Sequence, residues 1–357
     1  MEAVEGPINV WDYEKLAEEK LDEGAFGYFA GGAGDEHAVR GNLAAFDRWR
    51  LRTRVLVDVR DVSTETTVLG AQLSMPIITA PVAYLRMVHP DGEVAVARAA
   101  AQAGTIVCLS SFATSSPAEL AEAAPDVGRW FQLYWHPDRG VTKEMLTGAR
   151  EAGFSAVVFT VDLPLLGRRE RDLRTGFSIS PDLRLGVYPS ALDGMGVITP
   201  ASAAQMVDPS LTWRDLEWLH ETAGLPVIAK GILTAEDAVL AVDHGCVAVV
   251  VSNHGGRQLD RSVPPLDALP EVVEAVGDRA EILMDGGIRR GTDVAIALAL
   301  GARAVLIGRP MVWGLAARGG EGVQHVLELL RDELKLALAL LGCASPDVVG
   351  PAQIRRA

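Results

Sequence analysis

Short runs of apolar and β-branched residues recur along the chain, and each run is almost continuously hydrophobic. Such a run is typical of a strand in a parallel sheet that is covered on both faces, whereas a half-exposed strand alternates apolar and polar residues. The pattern predicts eight buried strands, at residues 75–81, 105–110, 129–135, 156–162, 226–231, 248–254, 281–287 and 304–310.

Stretches rich in Ala, Leu and Glu lie between these runs and predict helices. Eight strand-then-helix units favour a closed (β/α)8 barrel, the TIM barrel, over an open doubly wound sheet, which usually has fewer strands and a nucleotide fingerprint. Gly31-Gly32-Ala33-Gly34 is the nearest approach to such a fingerprint, but no strand precedes it. We therefore predict an α/β barrel at about residues 75–320, with helices at residues 92–103, 117–124, 143–152, 213–222, 235–244, 266–276 and 292–300.

Three further segments accompany the predicted barrel. Residues 1–74 form an N-terminal extension with helical patterns at 12–23 and 36–46, and residues 322–341 predict a long C-terminal amphipathic helix. Between the fourth and fifth strands, residues 163–211 show little periodicity. An irregular segment of this length inside a compact domain is usually functional or mobile, so we predict a lid. Because no linker is visible, residues 1–357 are predicted to form a single domain.

The composition limits the partners. The chain has 47 Asp and Glu against 33 Lys and Arg, a formal net charge of −14, and nucleic-acid surfaces need clustered basic residues. No signal sequence or apolar run of about 18 residues is visible. Neither the histidines nor the three cysteines have metal-ligand spacing. We expect a cytoplasmic protein with reduced thiols that binds no nucleic acid, membrane or metal.

Polar side chains gather at the carboxyl ends of the predicted strands, where TIM barrels carry their reactive groups. Because buried polar groups are costly unless they are partnered, a ring of them implies a ligand with many hydrogen-bonding atoms. The ring consists of Ser110, Ser111, Gln132, Tyr134, Thr160, Asp162, Lys230, Ser252, Asn253, His254, Asp285 and Arg309.

Glycines and arginines follow the seventh and eighth strands, where barrels commonly hold a phosphate. The segments are Asp285-Gly286-Gly287-Ile288-Arg289 and Gly308-Arg309-Pro310. Glycine allows the backbone to approach an anion closely, and arginine supplies the countercharge. These segments predict a phosphorylated cofactor; the alternative is that they are turn glycines with solvated arginines.

The densest motif is Ser-Asn-His-Gly-Gly-Arg-Gln-Leu-Asp at residues 252–260. His254 can accept a proton near neutral pH, and Arg257 can clamp a carboxylate through two parallel hydrogen bonds. Together they suit an acidic substrate that must lose a proton.

This motif resembles the signature of the FMN-dependent α-hydroxy acid oxidase and dehydrogenase family, and the resemblance extends along nearly the whole chain. It implies FMN as cofactor and the oxidation of an α-hydroxy acid to the α-keto acid. The matching positions imply that His254 is the catalytic base and that Asp162 pairs with it. They also imply that Tyr134 contacts the substrate hydroxyl and that Lys230 is the cation near flavin N1. The substrate carboxylate is then expected to meet Tyr28, Arg169 and Arg257.

The same resemblance implies which residues bind the cofactor. The loop after the first strand meets the flavin ring, polar groups of the next strands surround it, and the last two strands hold the ribityl chain and phosphate. The expected set is Ala80, Pro81, Val82, Ala83, Ser110, Gln132, Thr160, Lys230, Ser252, Asp285, Gly286, Gly287, Arg289, Gly308 and Arg309.

Two aromatic residues depart from the family pattern and bear on the substrate. Phe112 stands where several members carry tryptophan, and Tyr84 stands where the side chain is often smaller or unbranched. Both are expected near the substrate side chain, where stacking on rings favours aryl substrates, although ordinary packing at the barrel rim is an equal alternative. The expected substrate is 4-hydroxymandelate, oxidised to 4-hydroxybenzoylformate by oxygen with release of hydrogen peroxide.

Other members of the family leave alternatives open. Lactate or glycolate could be the substrate, and a dehydrogenase would pass its electrons to a quinone or cytochrome. The resemblance also suggests a homotetramer.

Overall fold

A closed barrel of eight parallel strands forms the centre of the computed structural model, which describes residues 5–189 and 198–357. Each strand pairs with the next along the chain, and the eighth closes on the first, with Val305 opposite Ile77. The predicted (β/α)8 fold is therefore confirmed. The strands are β1 Ile77–Thr79, β2 Ile106–Leu109, β3 Gly128–Leu133, β4 Ala156–Thr160, β5 Val227–Ile232, β6 Ala248–Val251, β7 Glu281–Asp285 and β8 Ala304–Ile307.

The strands are hydrophobic throughout because both of their faces are buried. Successive side chains of a strand point to opposite faces, and neighbours such as Ile77 and Ile78 belong to two different hydrophobic clusters. One cluster fills the barrel interior together with Val68 and Leu73 from a short hairpin, and the other packs under the helices. The hairpin closes the amino-terminal end of the barrel, since its Leu69 N–H donates to the carboxylate of Glu281 at the start of β7.

Thirteen α-helices occur in the described residues, and most of those in the barrel lie within a few residues of their predicted positions. Short strands at Trp49–Leu51 and Ile354–Arg356 pair with each other, and Thr66–Val68 and Ala71–Leu73 form the hairpin. The helices are α1 Val10–Lys20, α2 Glu23–Ala30, α3 His37–Ala44, α4 Gly92–Ala103, α5 Pro117–Ala123, α6 Arg139–Glu151, α7 Glu170–Thr175, α8 Pro200–Ala204, α9 Asp215–Ala223, α10 Ala235–Asp243, α11 Pro265–Val276, α12 Gly291–Ala299 and α13 Arg309–Leu341.

Outside the predicted lid, two helical segments went unpredicted because glycine obscures their pattern. Helix α2 contains two glycines in eight residues and is started by Asp22, whose carboxylate accepts from Ala25 N–H at 2.8 Å. Helix α13 starts far earlier than the predicted residue 322, and Arg318 and Gly319 interrupt its helical backbone. The predicted C-terminal helix is therefore the second half of α13.

The N-terminal segment is fixed over the carboxyl ends of β6 and β7. Asp260 accepts from the backbone N–H groups of Asp35 at 3.0 Å and Ala38 at 2.8 Å. The buried amides of Asn42 and Asn253 exchange two hydrogen bonds, at 2.8 and 2.7 Å. Helices α2 and α3 are thereby held against the loop that carries His254.

The segment predicted to be a lid contains α7 and α8. Its first residues are tied to the loop after β6, because Gln258 Nε2 donates to the carbonyls of Asp162 at 2.8 Å and Leu165 at 2.9 Å. Residues 190–197 of the predicted lid lie outside the described residues. Among the described helices, none has the length and apolarity needed to cross a bilayer.

A buried carboxylate joins the loops after β1 and β2. Glu93 on α4 is 3% exposed and accepts from Leu85 N–H at 3.2 Å, Thr114 N–H at 2.8 Å and Ser115 Oγ at 2.9 Å. We expect Glu93→Ala to lower the free energy of unfolding by about 3 kcal/mol, because several buried donors lose their acceptor. Urea unfolding followed by circular dichroism measures this, with exposed Glu122→Ala as the control. Equal stability of the two variants would contradict the assigned role of Glu93.

Candidate active site

A cleft with an empty volume of about 1160 Å³ opens at the carboxyl ends of the strands. Of the predicted site residues, only Gln132, Asp162 and Ser252 do not line it; they lie beneath it and contact residues that do. The cleft brings together Tyr28, Ala80, Pro81, Val82, Ala83, Tyr84, Ser110, Phe112, Tyr134, Thr160, Arg169, Lys230, His254, Arg257, Asp285, Gly286, Gly287, Arg289, Gly308 and Arg309.

His254 is held between a carboxylate and a phenol. Its Nδ1 lies 2.8 Å from Asp162 Oδ1, and its Nε2 lies 3.2 Å from Tyr134 Oη. Because an ionised carboxylate only accepts hydrogen bonds, Nδ1 carries the proton, and Nε2 keeps a free electron pair at the cleft. The contact fixes the tautomer that a base requires.

The loop after β6 adopts an uncommon backbone to present this imidazole. His254, Gly255 and Gly256 have φ values of 57°, 64° and 78°, and residues other than glycine rarely have positive φ. Ser252 Oγ accepts from His254 N–H at 3.0 Å, and Asn253 Oδ1 accepts from Gly256 N–H at 3.0 Å. A Cβ at Gly256 would lie 2.7 Å from Val39 N, so the tight packing of α3 also requires glycine there.

Burial and charge set the protonation states of the pair in a consistent direction. Burial, aided by the Lys230 and Arg169 cations, lowers the pKa of His254 below its ordinary value, although Asp162 opposes this. Burial alone would raise the pKa of Asp162, but His254 and Lys230 outweigh it, and that pKa is lowered. At neutral pH the imidazole is therefore neutral and the carboxylate is ionised.

Lys230 on β5 is a buried cation with polar partners. It is 4% exposed, and its Nζ lies 3.0 Å from Asp285 Oδ2 and 3.1 Å from Ser252 Oγ. Burial opposes its charge, but Asp285 and Asp162 prevail and raise the pKa of Lys230. Asp285 Oδ1 is buried without a hydrogen-bond partner among the described residues, so this carboxylate can still accept from a ligand.

The floor of the cleft near β2 to β4 is a chain of neutral hydrogen bonds. Gln132 Nε2 donates to Thr160 Oγ1 at 3.1 Å, and Gln132 Oε1 accepts from Ser110 Oγ at 3.2 Å and from Ser111 N–H at 3.1 Å. Ser111 belongs to the predicted ring of polar strand ends but not to the predicted cofactor-binding set. It also donates to the Gln132 carbonyl and accepts from Tyr134 N–H, each at 2.8 Å, which fixes Tyr134.

Arg257 and Arg169 approach the ring of Tyr28 from the substrate side of the cleft. Their guanidinium carbons lie 4.7 and 6.0 Å from the ring centroid. Arg257 Nη1 donates to the Gly31 carbonyl at 3.1 Å, and burial together with Arg169 lowers the pKa of Arg257 to about 10. Neither arginine has a carboxylate within ion-pair distance among the described residues. Both can therefore serve an anionic substrate.

Arg309 and Arg289 form a second pair of cations, next to β7 and β8. Arg309 donates to carbonyls at the end of α2, at 3.1 Å for Phe29 and 2.8 Å for Gly31, and burial and the other arginines lower its pKa to about 9. Arg289 is 7% exposed, and its Nε is buried without a partner among the described residues. An unpaired buried guanidinium lining a cleft fits the phosphate of FMN.

Packing also requires glycine at two positions of this pair of loops. A Cβ at Gly287 (φ 87°) would lie 2.3 Å from the Asn42 carbonyl oxygen, and one at Gly286 (φ 95°) 3.1 Å from Asn42 Nδ2. The packing of α3 and the positive φ values therefore favour glycine here, in addition to the predicted role of these glycines in binding an anion.

Five aromatic rings form a continuous wall beside the base and the arginines. Phe112 lies 5.2 Å from Tyr134, 6.1 Å from Tyr84 and 5.9 Å from Tyr188 between ring centroids, and Tyr84 lies 5.9 Å from Tyr28. Tyr84 has φ 62°, and its N–H donates to the Phe112 carbonyl at 3.1 Å.

Some residues of this region escaped prediction. Tyr188 lies in the segment after β4, whose sequence lacks periodicity, and no signal pointed to it. Pro200, Ala203 and Ala204 of that segment line the cleft itself, whereas Tyr188 packs on Phe112.

Comparison with known proteins agrees with the fold and the cleft. The sequence model of the family described as FMN-dependent dehydrogenase matches residues 17–356. L-lactate oxidase of Nostoc sp. is 49% identical over 355 residues, which is 96% of this chain and 97% of that protein. Human (Homo sapiens) 2-hydroxyacid oxidase 1 is 45% identical over 359 residues, which is 98% of this chain and 96% of that protein.

Solved structures give the same result. A crystal structure of mandelate oxidase has a TM-score of 0.91 and 41% identity over 99% of both chains. A structure of mandelate oxidase with (S)-4-hydroxymandelic acid has a TM-score of 0.91 and 41% identity over 98% of both chains. The chain therefore belongs to the FMN-dependent dehydrogenase family and is an FMN-dependent oxidoreductase acting on α-hydroxy acids.

Proposed function

We propose that the protein oxidises 4-hydroxymandelate to 4-hydroxybenzoylformate and that oxygen is the final acceptor, reduced to hydrogen peroxide. The observation that carries the choice of substrate is the aromatic wall. Four of its five rings line the cleft, those of Tyr28, Tyr84, Phe112 and Tyr134. Offset or edge-to-face contacts between the substrate ring and these side chains would stabilise the bound aryl acid beyond the gain from burying its apolar surface. The similarity to a mandelate oxidase structure over nearly the whole chain supports the same choice.

The substrate carboxylate is the group that the arginines recognise in this proposal. Arg257 and Arg169 are cations in the cleft without a carboxylate partner among the described residues, and bidentate contacts between guanidinium and carboxylate are strong and directional. Tyr28 lies under both guanidinium groups and holds them by cation–π contact. With the carboxylate bound there, the aryl group of the substrate meets the aromatic wall.

His254 accepts the proton that the substrate loses. Its unprotonated Nε2 lies 3.2 Å from Tyr134 Oη, and Asp162 stabilises the imidazolium that forms. Burial raises the pKa of Tyr134, so its hydroxyl stays protonated and can donate to the substrate oxygen. FMN, when bound, would supply the two-electron acceptor that these side chains lack, and Lys230 would place a positive charge beside it.

Lactate or glycolate is the second candidate substrate. The observation in its favour is the higher identity of this chain to a protein named L-lactate oxidase, at 49%, than to mandelate oxidase, at 41%. In that case the aromatic wall would only narrow the cleft around a short side chain. For the assembly, we retain a homotetramer as a proposal based on family resemblance.

Anaerobic reduction by a panel of hydroxy acids tests the substrate. We expect kcat/KM for (S)-4-hydroxymandelate to exceed that for lactate and glycolate by at least about tenfold, because only the aryl acid contacts the wall. Bleaching of the flavin absorbance measures reduction, and admission of air measures return of the electrons. Faster reduction by lactate than by 4-hydroxymandelate would refute the proposal of an aryl substrate. Enzyme that stays bleached in air would identify a dehydrogenase.

Phe112→Ala gives that panel an internal control. It removes the central ring of the wall, so it should lower kcat/KM for 4-hydroxymandelate by about tenfold more than for lactate. An equal loss for both acids would assign Phe112 to general packing.

Replacement of the base tests the assignment of His254. We expect His254→Asn to reduce the bound flavin at least about a hundredfold more slowly, which is the usual contribution of a general base. Stopped-flow absorbance under anaerobic conditions measures the rate, and the visible spectrum of the resting variant shows that FMN is still bound. Reduction at nearly the wild-type rate would refute the assignment.

The pH dependence tests the environment of the same residue. Because the base must be neutral and its pKa is lowered from 6.5, the reduction rate should fall with a midpoint below pH 6.5 as the pH is lowered. In Asp162→Asn the carboxylate no longer raises the pKa of His254, so this midpoint should move to still lower pH, with a smaller plateau rate. A midpoint above pH 6.5 in the wild-type protein would contradict this.

A further inference from the structure

The N-terminal helix α1 places an indole against a buried arginine of the cleft. The Trp11 ring centroid lies 5.6 Å from the guanidinium carbon of Arg289. Trp11 is 38% exposed, whereas Arg289 is 7% exposed. Arg289 lines the cleft and Trp11 does not, so the indole contacts the guanidinium from the side of the protein surface.

Arg289 has little else to hold its charge. Its Nη1 donates to the carbonyl of Ile288 at 2.9 Å, and its Nε is buried without a partner among the described residues. In that part of the chain no carboxylate forms an ion pair with the guanidinium: Asp293 accepts from the backbone N–H of Arg289 at 2.8 Å, and Asp293 and Glu14 act on the guanidinium charge only from a longer distance. A buried guanidinium without an ion pair needs a compensating contact, and the face of an indole is the strongest aromatic partner for a cation.

We propose that Trp11 is a positioning residue for the cofactor: it holds the Arg289 guanidinium toward the cleft and thereby sets the affinity for the phosphate of FMN. The inference rests on the predicted role of Arg289 in phosphate binding, and it is independent of which hydroxy acid is the substrate. Trp11 lies in the segment before the barrel, more than 270 residues from Arg289 in sequence, and no motif connects the two. The N-terminal helix thus contributes to cofactor binding without touching the cofactor.

Glu14 strengthens this arrangement. It lies three residues after Trp11, one turn along the same helix, and its charge acts favourably on both Arg289 and Arg309. Helix α1 therefore presents an aromatic ring to Arg289 and a negative charge to both arginines. In this proposal, helix α1 stabilises the charges of Arg289 and Arg309, the two arginines expected to bind the phosphate.

A comparison of FMN with riboflavin, which lacks the phosphate, tests the proposal. The full-length protein, freed of flavin, is titrated with each ligand while flavin fluorescence is followed. We expect Trp11→Leu, which keeps an apolar side chain but removes the ring, to weaken FMN binding about tenfold and to leave riboflavin binding unchanged. Trp11→Phe keeps an aromatic face and should bind FMN within about threefold of the wild-type affinity.

Two further variants separate this role from general packing. Trp213→Ala removes another partly buried tryptophan. The centroid of its ring lies 6.1 Å from that of His244, and the variant should leave FMN binding unchanged. In an Arg289→Gln background, which should itself weaken FMN binding, Trp11→Leu should cause no further loss, because the two residues act through one contact.

Each other outcome overturns the proposal. Equal weakening of FMN and riboflavin by Trp11→Leu would mean that the ring only stabilises the fold, and unchanged FMN binding would mean that it has no role. FMN binding unaffected by Arg289→Gln would remove the basis of the inference. Should Trp11→Leu fail to fold, Trp11→Phe keeps the test open: weaker binding of riboflavin as well as FMN in that variant would refute the proposal. None of these results alters the proposed oxidation of hydroxy acids, which the reduction experiments test separately.

Discussion

The site depends on four arginines at one end of the barrel, of which Arg169 and Arg289 are buried and Arg257 and Arg309 half-buried. Arg169, Arg257, Arg289 and Arg309 line a single cleft, and none of them pairs with a carboxylate among the described residues. Charges removed from water are costly unless they are compensated. Backbone carbonyls at the end of α2 and the rings of Tyr28 and Trp11 provide part of this compensation. In the proposed function, anions provide the rest: the phosphate of FMN at one pair and the carboxylate of a hydroxy acid at the other.

This constraint explains why the N-terminal segment is part of the site. Helix α2 ends with its carbonyls directed at Arg309 and Arg257, and α3 packs so closely on the loops after β6 and β7 that Gly256 and Gly287 admit no side chain. The positive-φ backbone that presents His254 to Asp162 is held by the same packing. The net charge of −14 therefore describes the outer surface of the protein, whereas the local field in the cleft is positive.

The sequence was informative where a pattern repeats or where a polar residue ends an apolar run. The eight strands were predictable from continuous hydrophobicity, and His254, Lys230 and Asp285 stood out because a hydrophobic core would exclude them. It was uninformative where contacts join distant segments. Helix α2 was hidden by its glycines, Tyr188 lies in a segment without periodicity, and only the fold shows that Gly287 makes room for Asn42. The contact of Trp11 with Arg289 belongs to the same class, since nothing local marks either residue as a partner of the other.

The central claim is that uncompensated cations in the cleft select an anionic substrate. The most direct test compares kcat/KM for the hydroxy acid that the enzyme oxidises fastest with kcat/KM for its neutral amide, which has nearly the same shape. Loss of the carboxylate charge leaves two buried guanidinium groups unpaired, so we expect the amide to be at least about a hundredfold poorer. Similar values for the acid and the amide would contradict the account, because the arginines would then contribute nothing to recognition.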